Sequence, residues 1–204
     1  MMTPRERMIA TLEHRMPDRI PIQLGWRDEV MDAVKSHYGV ETETEVAKIL
    51  EADMQRGVGV GTRWPEYEKR INGELNGPFG HIGQTVLHDA RTFEDSWGVV
   101  ERVSEDQKYL EWIGGPFAMT DDLDAFAWPT AENLVFDLDD MKQRVAEFKK
   151  QGYWVMGSPG VHPFKQGWRM RGFENFLADY VANPDWVAAI QERFLQYNLM
   201  LTRT

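Results

Sequence analysis

Arginine side chains follow each of the three segments that we predict to be strands of a parallel sheet. The loops after these strands span residues 25–27, 61–63 and 158–171, and their arginines are Arg27, Arg63, Arg169 and Arg171. Because the carboxyl ends of parallel strands meet on one side of a fold, we expect the three loops to share a rim. The planar guanidinium group binds carboxylates and phosphates through paired hydrogen bonds. The pattern predicts a rim that binds an anionic substrate; the alternative is that these arginines are ordinary surface residues.

His162 is the histidine that we place near this rim, because it follows the third predicted strand. The charge of an imidazole changes near neutral pH, so His162 is our candidate catalytic acid or base. Gln23, Trp26 and Phe164 belong to the same segments, and we expect them to shape the substrate pocket.

Other motifs indicate structure rather than chemistry. Ser158 is not surrounded by a Gly-x-Ser-x-Gly elbow, and we predict that it forms a turn. The glycines at 57, 59 and 61 do not match a dinucleotide-binding fingerprint. Asp53 is expected to cap or turn the backbone at the start of its strand. The sequence contains no Cys, which excludes disulfides, thiolate nucleophiles and cysteine-bound zinc within these residues.

Strands and helices alternate along the chain. Apolar repeats and capping residues predict helices over residues 4–15, 27–38, 43–51, 138–151, 173–182 and 184–203. The strands of the parallel sheet are predicted at residues 20–24, 54–60 and 153–157. Residues 64–120 form an excursion with strand candidates at 86–88, 97–103 and 108–113, the last two joined as a hairpin by Ser104-Glu-Asp-Gln107. This order predicts an α/β fold of the parallel type.

The composition limits the class of protein. The 204 residues include 42% hydrophobic ones, and 23 Lys and Arg against 33 Asp and Glu give a formal charge of −10. An acidic chain is unsuited to general nucleic-acid binding, which needs a basic surface. The sequence has no apolar run long enough to span a membrane and no signal-peptide pattern at its start. We therefore expect a soluble, cytoplasmic protein without a nucleic-acid or membrane partner.

Four segments resemble the uroporphyrinogen decarboxylase superfamily, which includes the corrinoid-linked methyltransferases. They are TPRERMIATLEHRMPDRIPIQLG (residues 3–25), Asp95-Ser-Trp-Gly98, Phe126-Ala-Trp-Pro129 and MRGFENFLADYVANPD (residues 170–185). The first and last are the most specific, and the four occur in order along the whole chain. The resemblance implies a TIM-type (β/α)8 barrel. With three barrel strands instead of eight, residues 1–204 are expected to be the N-terminal portion of one such domain. The last helix runs to Thr204 without a cap, which also suggests a truncated chain.

Within this family, the resemblance favours methyl transfer. The decarboxylases carry an arginine-rich segment after the first strand and an aspartate near the end of the second. Here the corresponding positions hold Gln23-Leu-Gly-Trp-Arg27 and Gly59-Val-Gly-Thr62. The expected parent enzyme is a methyltransferase that acts on a small anionic or thiol substrate. Tetrapyrrole decarboxylation is the first alternative, and whether these residues act alone is left open.

The resemblance also concerns cofactors and partners. Many of the related methyltransferases hold zinc through a His-x-Cys motif and a later Cys. The resemblance therefore implies zinc and a corrinoid in the full-length parent. Within this chain, which has no Cys, we expect no cofactor. The expected partners are a small-molecule substrate and a corrinoid protein. A second alternative is a non-catalytic truncated barrel that covers its open strand edges by forming a homo-oligomer, and so acts as an interaction module.

Overall fold

The computed structural model describes residues 1–53, 55–77, 80–157 and 160–203. In chain order the helices are α1 (Pro4–Leu12), α2 (Asp28–Tyr38), α3 (Glu43–Ile49), α4 (Pro65–Glu68), α5 (Leu138–Lys150), α6 (Pro163–Arg171), α7 (Phe173–Ala182) and α8 (Pro184–Thr202). The strands are β1 (Gln55–Val58), β2 (Gly61–Thr62), β3 (Gly73–Gly77), β4 (Gly80–Leu87), β5 (Thr92–Glu94), β6 (Val100–Val103), β7 (Leu110–Gly114), β8 (Leu134–Val135) and β9 (Trp154–Gly157).

The structure is mixed α/β, and the strands in the described ranges do not close into a barrel. The chain forms two compact units. The first contains residues 1–60 and 136–158, and the second contains residues 61–135 and 159–204. Each unit is described by itself below.

Local capping sets the start of two helices in the first unit. Thr3 and Glu6 form a reciprocal capping box at α1, and Thr42 and Glu45 form a second one at α3. In each box a threonine hydroxyl and a glutamate carboxylate satisfy backbone N–H groups that the helix leaves unpaired. Gly39 ends α2 in the left-handed region, with φ at 66°, where glycine has no steric penalty. The starts predicted for these helices are confirmed to within one residue.

The sheet of the first unit is a parallel pair of strands, β1 and β9. The register runs from Gln55 opposite Trp154 to Val58 opposite Gly157. Helices α1 and α5 pack against this pair. Two of the three predicted barrel strands are therefore present and parallel, although Met54, at the start of the second, lies outside the described residues.

The strand predicted at residues 20–24 does not form. This segment has no ladder partner among the described strands, and the hydrogen bonds of Ile22 explain why. Its N–H donates to the side-chain Oδ2 of Asp53 at 2.9 Å, and its carbonyl accepts from the Asp53 N–H at 2.6 Å. Pro21 has no N–H to donate. The alternation of Ile20, Ile22 and Leu24 thus belongs to a segment that is hydrogen-bonded to Asp53 and not to a neighbouring strand.

A network of charged side chains in the first unit joins α1 to residues 18 and 19 and to Asp53. Arg7 is 2% exposed, and its Nε donates to Asp18 Oδ1 at 2.6 Å, while its Nη1 donates to Asp53. Arg19 Nη1 donates to the other oxygen of Asp53 at 2.7 Å. The hydrogen bond from Arg7 holds the pKa of Asp18 well below its ordinary value. Asp53, which was predicted to cap or turn the backbone at the start of its strand, accepts a hydrogen bond from the backbone N–H of Ile22, 31 residues away.

The second unit contains an antiparallel sheet in the order β3-β4-β5-β6-β7. The hairpin predicted around residues 104–107 is confirmed, because β6 and β7 pair with Val103 opposite Leu110. The predicted strand at 97–103 is shorter than expected. Its first residues form a tight turn in which Asp95 Oδ1 accepts from the N–H groups of Trp97 and Val99.

An aromatic core joins the helices and the sheet of the second unit. It contains the buried residues Trp97, Val99, Phe117, Met170, Phe176, Val187, Ile190 and Phe194. The loop predicted over residues 158–171 is wrong for most of its length, because residues 163–171 form α6. Pro163 fits the first helical position, and Gln166, Gly167 and Met170 are buried on one face. Ser158 lies outside the described residues.

No helix in the described part of the chain has both the length and the apolar character needed to cross a membrane.

Candidate functional site

The structure divides the eight predicted site residues between the two units. Gln23, Trp26 and Arg27 belong to the first unit, and the other five, Arg63, His162, Phe164, Arg169 and Arg171, belong to the second. Their surroundings are therefore considered separately.

Arg169 is held by the protein's own carboxylates. Its Nη2 lies 2.8 Å from Asp95 Oδ2 and 2.8 Å from Glu101 Oε2, and its side chain is 16% exposed. Burial raises the pKa of Asp95, against the pull of the Arg169 charge. Burial acts to lower the pKa of Arg169, but the hydrogen bonds that Arg169 donates to Glu101 and the charge of Asp95 outweigh this effect and raise that pKa. An arginine with two carboxylate partners binds the sheet to α6 rather than a ligand.

Arg171 also has a structural environment. Its Nε donates to Asp179 Oδ2 at 2.7 Å, and its Nη1 donates to the carbonyls of Phe117 at 2.8 Å and Thr120 at 3.0 Å. The guanidinium carbon lies 4.8 Å from the centre of the Trp186 ring. These contacts join the end of α6 to α7, α8 and the loop at 117–120, so the donors of Arg171 are largely occupied.

Arg63 and Arg27 are more exposed. Arg63 Nε donates to the two carboxylate oxygens of Glu68 at 3.1 and 3.2 Å, and this pair raises the pKa of Arg63 and lowers that of Glu68. Arg27 is the residue before α2 and lies 3.8 Å from Glu29. The Nη2 of Arg63 also donates to Glu68 Oε2, so the carboxylate is held by two nitrogens of the guanidinium, although the side chain of Arg63 is 64% exposed.

His162 is exposed and occupies the N-cap position of α6 without a side-chain cap bond. The residue before it, Val161, is fixed to Asn198 of α8 by two hydrogen bonds of 3.0 and 2.9 Å. Tyr197, the residue next to Asn198, shares a 2.9 Å hydrogen bond with Thr62 of β2. Thr62 and Val161 are therefore both held by neighbouring residues of α8 in the second unit. Phe164 is 46% exposed, and its ring centre lies 5.8 Å from that of Phe176.

Gln23 lines two cavities of the first unit. One, of about 380 Å³, is mainly apolar and lies beside α1, Ile22 and Trp154; it includes Asp53, whose two oxygens are taken by Arg7, Arg19 and Ile22. Trp26 is half-buried, and its buried Nε1 has no hydrogen-bond partner among the residues that the structure describes.

The other cavity, of about 330 Å³, lies between the segment at 23–24, α2, α3 and β1. Its polar lining residues are Gln23, Glu43, Gln55 and Arg56, and its apolar ones include Leu24, Met31, Ala47 and Ala52. We call it the α3–β1 cavity. Gln23 is the one residue of this set that was predicted from the sequence. Glu43 and Arg56 come from different elements, and neither belongs to a motif that would have singled it out.

The described ranges contain no group of three or more His, Asp or Glu side chains that could hold a metal ion. The residues present therefore do not fit a zinc centre of the kind that the resemblance implies for a full-length parent. Comparison of this chain with protein-family models, with curated proteins and with solved structures gave no match.

Proposed function

We propose that this chain is the N-terminal portion of a uroporphyrinogen decarboxylase-like barrel, whose parent enzyme transfers methyl groups between a corrinoid and a thiol or other small acceptor. The observation that carries the proposal is the parallel pairing of β1 with β9, with α5 preceding β9 and packing on both strands. A strand, a helix and a parallel strand make up the repeating unit of a (β/α)8 barrel. The resemblance of residues 3–25 and 170–185 supports the same family.

Methyl transfer is favoured over decarboxylation by the environment of Asp53. It is the acidic residue next to β1, yet it is 6% exposed and its oxygens are bound by Arg7, Arg19 and Ile22. Residues 54–62 contain no carboxylate. Arg169 and Arg171, moreover, are paired with carboxylates of the chain itself and are poorly suited to hold those of a tetrapyrrole.

The proposal assigns two tasks to the present residues. Arg63 has the most exposed side chain of the four predicted arginines, at 64%, and is therefore the one most accessible to a substrate anion. His162, exposed at the start of α6, is the candidate for moving a proton. The zinc ligands belong, in this proposal, to other parts of the parent enzyme, and no step is derived through zinc.

The proposal is tested by sequencing the encoding DNA past codon 204 and assaying the product of the whole reading frame. We expect further βα units with a His-x-Cys motif and a distant Cys, and consumption of methylcobalamin with formation of a thioether. His162→Ala should lower the rate at least about tenfold. His37→Ala, on α2, is the matched control and should have no effect. An open frame without those ligands, or a product without methyl-transfer activity, would contradict the proposal.

A second candidate function is favoured by one observation. The outer edge of β9 has no strand beside it within the described ranges, and Met156 on that strand is 43% exposed. Unpaired edges favour pairing with another chain. If the chain acts as an interaction module, light scattering should find a defined oligomer that melts cooperatively; a monomer or a polydisperse aggregate would contradict this function.

A further inference from the structure

Two opposite charges line the α3–β1 cavity without pairing with each other. Arg56 is on β1, and Glu43 is the first residue of α3. No ion pair within 4.0 Å joins Arg56 to any carboxylate in the described part of the chain, and the same holds for Glu43 and any cation.

The side chain of Arg56 is held in place by neutral groups. Its guanidinium carbon lies 4.6 Å from the centre of the Tyr153 ring. Its Nη2 donates to the hydroxyl of Thr44 at 3.3 Å, and its Nη1 approaches the Gln55 carbonyl at 3.5 Å. Both hydrogen bonds are long. Arg56 is therefore positioned while most of its donor capacity is left for a ligand.

Glu43 and Glu45 both lie in the first turn of α3, but they differ in their hydrogen bonds. Glu45 is committed to the capping box, where its Oε2 accepts from the Thr42 N–H at 2.9 Å and from the Thr42 hydroxyl at 2.7 Å. Glu43 has no such bond among the described residues, and it lines the cavity. Arg56 is hydrogen-bonded to Thr44, the residue after Glu43, and both charged residues line the same cavity.

The other lining residues of the α3–β1 cavity and its volume fit a small ligand. The amides of Gln23 and Gln55 can donate and accept hydrogen bonds, while Leu24, Met31, Ala47 and Ala52 give an apolar wall. The volume of about 330 Å³ is at the lower end of small-molecule sites. The described residues that line the cavity include no aromatic ring that would favour a quaternary ammonium, so a primary ammonium is the better match for Glu43.

We propose that the α3–β1 cavity binds a small α-amino acid with an apolar side chain, with its carboxylate on Arg56 and its ammonium group on Glu43. The amides of Gln23 and Gln55 complete the polar contacts, and the apolar wall receives the side chain. This is a binding site only, and it requires no methyl transfer.

Isothermal titration calorimetry on the full chain tests the site with three matched probes. They are L-leucine, isocaproate, which lacks the ammonium group, and isoamylamine, which lacks the carboxylate. We expect L-leucine to bind at least about tenfold more tightly than either analogue, because each analogue leaves one charge unpaired. Absence of L-leucine binding at millimolar concentration, or equal binding of isocaproate, would overturn the proposal.

Variants of Glu43 and Arg56 test the contribution of each charge to binding separately. Glu43→Gln should weaken L-leucine binding at least about tenfold and leave isocaproate binding unchanged, a change of selectivity that partial unfolding cannot produce. Arg56→Gln should abolish binding of both. If Arg56→Gln fails to fold, Arg56→Lys, which keeps the charge but not the fork, should weaken the binding of both ligands. Glu13→Gln and Arg15→Gln, from an exposed ion pair in the same unit, are the controls. Unchanged L-leucine binding by Glu43→Gln would overturn the assignment.

Discussion

Arg169 and Arg56 show that the partners of an arginine decide its role. Both are partly buried, but Arg169 lies between Asp95 and Glu101, whereas Arg56 rests on Tyr153 and Thr44. A guanidinium that already holds two carboxylates has little free energy to gain from a ligand anion. The sequence pattern predicted a ligand-binding role for Arg169 and gave no indication of one for Arg56, and only the contacts in the structure distinguish the two.

At the residue scale, the first prediction concerns Asp53. Asp53→Asn removes the charge that faces the buried Arg7 and the nearby Arg19. Since breaking a buried ion pair leaves a charge poorly compensated, the free energy of unfolding should fall by about 3 kcal/mol. Urea denaturation of the full chain measures this. Glu13→Gln, in an exposed pair, should change it by less than about 0.5 kcal/mol, and a similar loss in both variants would contradict the prediction.

The second prediction concerns pH. The hydrogen bond from Arg7 holds the pKa of Asp18 below its ordinary value, so the folded state binds a proton here less readily than the unfolded state. Asp18 therefore contributes stability that is present above its unfolded pKa of about 3.9 and is lost as the pH falls through its lower folded pKa. Denaturation curves between neutral pH and about pH 2 should show a shallower acid loss for Asp18→Asn than for wild type. Asp32→Asn, in a loose surface pair, should keep the wild-type slope.

At the scale of elements, the end of β7 meets the end of α6. The Nε1 of Trp112 donates to the carbonyl of Arg169 at 2.7 Å, and the Phe117 N–H donates to that of Met170 at 2.9 Å. These bonds satisfy carbonyls in the last turn of α6, which a helix cannot pair internally. The approach is so close that a Cβ on Gly115 would lie 2.5 Å from the Met170 oxygen.

The third prediction compares alanine substitutions at two adjacent glycines, Gly115 and its matched control Gly114. Gly115→Ala forces backbone atoms apart and should destabilise the protein by about 2 kcal/mol. Gly114→Ala has no atom within 4 Å of the added methyl group and should be nearly neutral. Thermal unfolding followed by circular dichroism compares the two. Equal melting temperatures for both variants would contradict the close approach of β7 and α6.

Elements set by local chemistry could be predicted from the sequence, and elements set by distant partners could not. Thr3 with Glu6 and Thr42 with Glu45 lie three residues apart, so the starts of α1 and α3 follow from the sequence alone. The segment at 20–24 was predicted to be a strand because its apolar residues alternate, but Ile22 hydrogen-bonds to Asp53, 31 residues away, instead of to a neighbouring strand. Residues 163–171 were predicted to be a loop, whereas they form α6, in which the absence of a side chain at Gly167 gives room for the ring of Phe176 of α7.

At the scale of the whole molecule, the two units have cores of different kinds. The second has a large aromatic core, whereas the buried apolar side chains of the first are small, at Ala10, Val46 and Ala47. The candidate site shows the same limit of sequence analysis, because Glu43 and Arg56 line one cavity only once α3 packs beside β1. Their spacing in the sequence gave no indication of this.

The fourth prediction follows from these cores. The tryptophans at 64, 97, 112, 128, 168 and 186 lie in the second unit, and those at 26 and 154 in the first, so fluorescence reports mainly on the second. Because less apolar surface is buried in the first unit, we expect it to unfold at lower urea concentration. Far-ultraviolet circular dichroism should then show an earlier transition than fluorescence. Coincident transitions would contradict this expectation.

The parallel pairing of β1 with β9 has a consequence for protein synthesis. β1 leaves the ribosome long before β9, because the whole antiparallel sheet and α5 are translated between them. The strands β3 to β7 follow one another closely and can pair as soon as Gly114 has emerged. The nascent chain can therefore complete this sheet before β9, the strand that pairs with β1, has been synthesised. The first unit begins the chain, but its sheet can form only after Gly157 is made.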